Sequence, residues 1–226
     1  MPSLDALPPT ERRRASKSVR VALCAGLEAA AASGRAPDDC VAVFTSSSGD
    51  GENCHAICEA LATDDRLLSP TRFHNSVHNA PAGYWGIATG ATHSADCLAA
   101  FDGSFSAGLL EALARVAADP ARPVLLIAYD APYPSPLDEK RPIGDVFAVG
   151  LALAAPQASN RGMRLTLELS ADLRPTRLED ASLEGLRRSI PAARALPLLA
   201  LLAREERGRA DIEYLDGLAL SIRLDP

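Results

Sequence analysis

Aromatic side chains are scarce in this chain, at 4% of 226 residues with a single tryptophan, and alanine and leucine dominate instead. Basic charge is not in excess. The net charge of −6 and a pI near 5.3 give no electrostatic footprint for nucleic acid or an anionic membrane. Long apolar runs are missing as well. The stretch Ala195–Ala203 is interrupted by Pro197 and is far too short to cross a bilayer. The five cysteines (Cys24, Cys40, Cys54, Cys58 and Cys97) are odd in number and lack disulfide or zinc spacing. With no signal peptide, they read as reduced thiols of a cytoplasmic protein. There is no G-x-S-x-G, and Ser46–Gly51 resembles an anion-binding turn without the G-x-x-x-x-G-K-[ST] pattern. No histidine follows His93, and basic residues thin out between Arg35 and Arg115, where only Arg66 and Arg72 occur. The basic ends could dock an acidic carrier protein, or be scattered surface arginines.

The chain is 47% hydrophobic, enough to bury a sizeable core. Residues 1–15, proline-rich and then charged, predict a flexible arm. Apolar spacing predicts helices over 16–33, 53–62, 81–89 and 104–118, and strands over 41–45, 94–101, 124–129, 146–154 and 163–169. The last two strands are expected to pair through a polar turn containing glycine. Residues 64–78 and 130–142 read as loops. A helical region over 183–207, interrupted near Pro191 and Pro197, precedes a final strand pattern over 212–224. The alternation predicts an α/β layered fold with a mixed sheet and helices on both faces.

One segment stands out. The apolar run Cys97–Phe101 meets the small-residue turn at Asp102-Gly103 and opens directly into an apolar helix. Such an elbow lifts one side chain onto a helix N-terminus, where a Cys or Ser nucleophile is favoured by the dipole and the free amides. Here it carries Asp102, a poor acyl acceptor. An ordinary strand-to-helix turn with an aspartate N-cap gives the same pattern. His74 and His78 are four apart, and Cys54 and Cys58 likewise, but neither pair has an evident third ligand, so no metal and no cofactor is called for.

Phe73, Asn79, Ala82-Gly83, Ile87 and Gly90, followed by strand, elbow and apolar helix, resemble the N-terminal half of a thiolase-fold β-ketoacyl synthase. The resemblance runs from Ser16 to Leu169. Cys40–Gly51 is similar to the first strand and glycine loop, Val124–Asp130 to the strand after the nucleophile helix, and Val146–Leu153 to the returning strand. It implies a ketosynthase-like domain over 16–170, with 171–226 as a helix and strand extension packed on it and the C-terminal half absent. It places Asp102 where the family carries its cysteine and leaves no counterpart for the two later histidines. The combination looks like the short chain-length factors of aryl polyene and related polyketide systems. Such subunits are non-catalytic, form a heterodimer with an active ketosynthase, and help shape its acyl tunnel; acyl carrier protein is a further expected partner. On that resemblance the strand Ser94–Phe101 would pair with the partner, and Cys97, Phe101, Asp102, Phe105 and Leu109 would lie at the interface or tunnel. Phe105 and Leu109 equally suit a core. The apolar helix then needs a cover, expected from Leu196–Ala203 or from the partner. Two other readings stay open: unrelated chemistry through Asp102, His93 or Cys97, and a stand-alone homodimer that binds acyl chains or carrier proteins.

Overall fold

The computed structural model describes residues 4–157, 162–171 and 174–225. Helix α1 (Pro9–Arg14) leads into α2 (Lys17–Ser33), which Ser16 caps by accepting from the Val19 amide and which ends at the left-handed Gly34. Strand β1 (Val41–Thr45) is followed by α3 (Gly51–Leu61), α4 (Pro70–Asn75) and α5 (Ala80–Thr89). Then come β2 (Ala95–Leu98), α6 (Ser104–Ala118), β3 (Val124–Asp130) and the single turn α7 (Leu137–Lys140). Strands β4 (Phe147–Leu153) and β5 (Arg164–Ala171) precede α8 (Ala181–Ser189), the 3-10 turn Pro191–Ala195 and α9 (Leu196–Arg204). The hairpin β6 (Gly208–Glu213) and β7 (Leu218–Asp225) closes the chain.

Two sheets form. The first has the order β2-β1-β3-β4, with β1 parallel to both neighbours and β4 antiparallel to β3. The second has the order β5-β7-β6 and is antiparallel throughout. Strand β3 is buried along its whole length, so its two faces serve two cores. Leu125, Ile127 and Tyr129 join Trp85, Phe44 and the buried stripe of α2. Leu126 and Ala128 join α6 through Phe105, Leu109, Ala112 and Val116. The layers are thus α2 and α5, the first sheet, α6, and the second sheet. Contact between α2 and the sheet is close: a Cβ on Gly150 would lie 2.3 Å from the Ala25 carbonyl oxygen.

Four expectations are corrected. Residues 4–14 are not a loose arm, because Leu4 and Leu7 are each 1% exposed and sit in the first core. The expected loop over 64–78 contains α4, capped by Ser69. Strands β4 and β5 do not pair with each other: β4 adds to β3 and β5 to β7, in different sheets, and much of the turn expected between them lies outside the described residues. The cover over α6 is not α9 alone. Ala192 and Ala195 of the 3-10 turn, Leu198 of α9, and Ile212, Leu220 and Ile222 of the second sheet close it together. Burying Phe105 and Leu109 this way contributes about 1.5–3 kcal/mol each.

Candidate functional site: the elbow between β2 and α6

Strand β2 stops at Leu98, earlier than its apolar run suggests, because the chain turns out of the sheet at Ala100 and Phe101. Phe101 takes φ +50°, a left-handed conformation that costs a bulky residue about 1–3 kcal/mol. Its surroundings hold it there. The Ser104 hydroxyl accepts from the Ala100 amide at 2.9 Å and donates to the Phe101 carbonyl at 2.7 Å. Thr45 donates to the Ser104 carbonyl at 2.7 Å, and Ser106 to the Glu213 carbonyl at 2.6 Å. Gly103 is required by close approach, since a Cβ there would lie 2.1 Å from the Tyr214 carbonyl oxygen. The elbow is therefore wedged between β1 and the end of β6.

Asp102 does not cap the helix, as no side chain caps α6. Its carboxylate turns aside and accepts from Arg141 Nη2 at 2.7 Å and from Arg194 Nη2 at 3.1 Å, one guanidinium to each oxygen. The Arg141 guanidinium also stacks on Phe101, 3.5 Å from the ring centroid. A carboxylate so occupied is a structural anion. Each oxygen is already engaged by one guanidinium.

The other expected site residues separate. Phe101 is 64% exposed and stands at the surface. Phe105 and Leu109 are fully buried in the second core and offer nothing to an external partner, which corrects their placement at an interface. Cys97 is half-buried on β2, and burial, aided by Asp96, pushes its thiol up to about 11, so it is not a reactive thiolate at neutral pH. The histidines do not converge. His74 packs edge-on against Tyr84, His55 faces Glu59, His93 meets Arg122, and His78 Nε2 donates to the Leu98 carbonyl at 2.9 Å. Among the described residues no three metal-ligating side chains come together.

Asp130 escaped the sequence reading. At the end of β3 it is fully buried and accepts from the Ser47 amide (2.9 Å), the Ser47 and Ser46 hydroxyls (2.7 and 3.2 Å) and the Ala192 amide (2.8 Å). Burial pushes its carboxyl up from the ordinary range, against those hydrogen bonds. The one signal was an aspartate closing an otherwise apolar strand.

The free edge beside the elbow is equally distinctive. Strand β2 has β1 on one side and no strand on the other among the described residues. Next to it α5 exposes Gly83, Ile87 and Gly90, and a Cβ on either glycine would meet nothing within 4 Å. A cavity of about 340 Å³ lies at the far end of the parallel strands, among Val41, His93, Ser94, Arg115, Arg122 and Val124.

The family model for the β-ketoacyl synthase N-terminal domain matches residues 1–211. The chain belongs to that family. No curated protein matches it. This ketosynthase-family chain shares its fold with a chain from the ketosynthase ApeO in complex with its chain length factor ApeC from Xenorhabdus doucetiae. The TM-score is 0.74 at 23% identity, covering 98% of this chain and 83% of that one. It is similar at TM-score 0.70 and 14% identity to the ishigamide ketosynthase/chain length factor, covering 99% and 84%. A β-ketoacyl synthase from Burkholderia phymatum STM815 follows, at 0.66 and 11%, covering 96% and 84%. The thiolase-like layered fold expected from the sequence is thereby established, as is the family. No helix of the described residues is long and apolar enough to cross a membrane.

Proposed function

We propose that the chain is a non-catalytic subunit of the chain-length-factor kind, which pairs with an active β-ketoacyl synthase and shapes its acyl tunnel. The observation that carries this reading is the uncovered edge of β2, flanked by the exposed ring of Phe101 and the open face of α5. An unpaired edge is a template for strand addition, and a flat small-residue helix face beside it allows close approach. The elbow supports the non-catalytic part: Asp102 is held by two arginines, and the histidines make other contacts. Two of the structurally similar chains come from ketosynthase and chain length factor assemblies, which fits the same role. Phe101 and the edge of β2 are the parts of this chain that would reach the seam and the tunnel wall. The free cysteines suit a reducing cytoplasm.

Native mass spectrometry of the chain, alone and co-expressed with a ketosynthase of the same organism, tests this reading. A one-to-one complex is expected. A stable homodimer that ignores the ketosynthase would favour a stand-alone acyl- or carrier-binding protein.

A further inference from the structure

We infer that Asp96 selects the partner on the free edge: it disfavours a second copy of this chain and favours a strand that brings a cationic side chain. The inference rests on the subunit reading above and concerns which chain the edge accepts. The Leu98 carbonyl points toward β1, where the Ser46 amide donates to it. Backbone groups alternate along a strand, so those of Cys97 and Ala95 point out to the open edge. Three antiparallel registers then let β2 pair with its own copy through these groups. In one, Asp96 lies directly opposite Asp96 of the second copy, with Cα atoms about 4.5 Å apart. In the other two, the aspartates lie on the diagonal, about 7–8 Å apart on the same face.

The surrounding charge does not relieve that encounter. Arg115 Nη2 is 2.8 Å from each Asp96 oxygen, and Arg115 Nε is 2.8 Å from Glu111. One guanidinium thus serves two carboxylates, which leaves a net negative cluster at the edge of each copy. Arg122 turns to Asp119 and His93. The Arg115 hydrogen bond goes to Oδ1, while Oδ2 meets the same guanidinium only as an ion pair, so an incoming guanidinium or ammonium group would add a hydrogen-bond donor there. A second copy brings another carboxylate to this place. A partner with a cation brings that donor, and like-charge juxtaposition sorts the two.

The test compares wild type with Asp96→Asn, each alone and co-expressed with the ketosynthase, by native mass spectrometry and sedimentation. Asp96→Asn is expected to self-associate about tenfold more tightly and to bind the ketosynthase about tenfold more weakly. Glu111→Gln, which lowers the edge charge without touching β2, is expected to raise self-association by a smaller factor, and it carries the test should Asp96→Asn fold poorly. If wild type forms the one-to-one complex and both variants match it in both measurements, the selection role of Asp96 is overturned and the subunit reading stands. If wild type binds no ketosynthase, the subunit reading itself fails. If wild type alone is a tight homodimer, the selection role fails.

Discussion

Phe105→Ala separates the core from the seam. The ring is 1% exposed and packs with Leu109, Ala112, Leu126 and Ile212 between the two sheets. Truncation forfeits most of a phenylalanine's transfer free energy and leaves a cavity that both sheets resist collapsing into. The expected loss is about 3–5 kcal/mol. For a chain of this length each kcal/mol lowers the melting temperature by roughly 2–4 °C, so the midpoint should fall by about 10 °C. A thermal melt followed by circular dichroism reads that midpoint, and urea denaturation reads the stability loss and the slope. The slope should stay constant, because the same surface is exposed on unfolding. At temperatures where the variant is folded, its affinity for the partner should be nearly unchanged. A loss below 1 kcal/mol together with loss of the complex would refute the argument, because Phe105 would then be a seam residue.

Phe101→Gly should do the reverse. Glycine takes φ +50° at no steric cost, which offsets the lost stacking with Arg141, so stability should change by less than about 1 kcal/mol while affinity for the ketosynthase falls at least tenfold by titration calorimetry. Asp102→Cys should not condense acyl and malonyl units in a purified thioester assay, because no histidine is placed to serve the thiol; condensation by the variant alone would sink the non-catalytic reading. It should also lower stability by about 1 kcal/mol, since two partly exposed charge-assisted bonds are lost. Glu184 gives an acid limb. Hydrogen bonding from Arg187, and then from the Leu178 amide, lowers its carboxyl to about 2 from 4.5. Its stabilising contribution is therefore complete above pH 4.5 and lost as pH falls toward 2, and the stability gap between wild type and Glu184→Gln should close over that window in urea titrations. A gap that widened on acidification would show that the pairing is not with the ionised carboxylate.

Local pattern carried much of the fold. The periodic apolar stripe of 104–118, the continuous run of 124–130 and the caps at Ser16 and Gly34 are local signals, and the elements they mark are where the spacing puts them. What local pattern could not carry is pairing. Neighbouring strand signals at 147–153 and 164–171 suggested a hairpin, but the first is taken by β3 and the second by β7 at the end of the chain. The elbow shows the same divide. Its turn and helix were legible, while the partners of Asp102 were not, since Arg141 and Arg194 approach from distant parts of the chain. Asp130 went unnoticed because a single aspartate looks alike whether it faces water or four donors.

The way α6 is enclosed sets a timetable for synthesis. Phe105 and Leu109 leave the ribosome well before Ile212, Leu220, Ile222 and Leu224, which complete their cover. At about 5–20 residues per second, that interval is on the order of ten seconds. Through most of it one face of the helix is bare, and until residue 192 is made the Asp130 carboxylate lacks the Ala192 amide. The nascent chain thus exposes the buried face of this helix for long, and nearly every residue of the terminal hairpin must be made before that face is shielded from other chains.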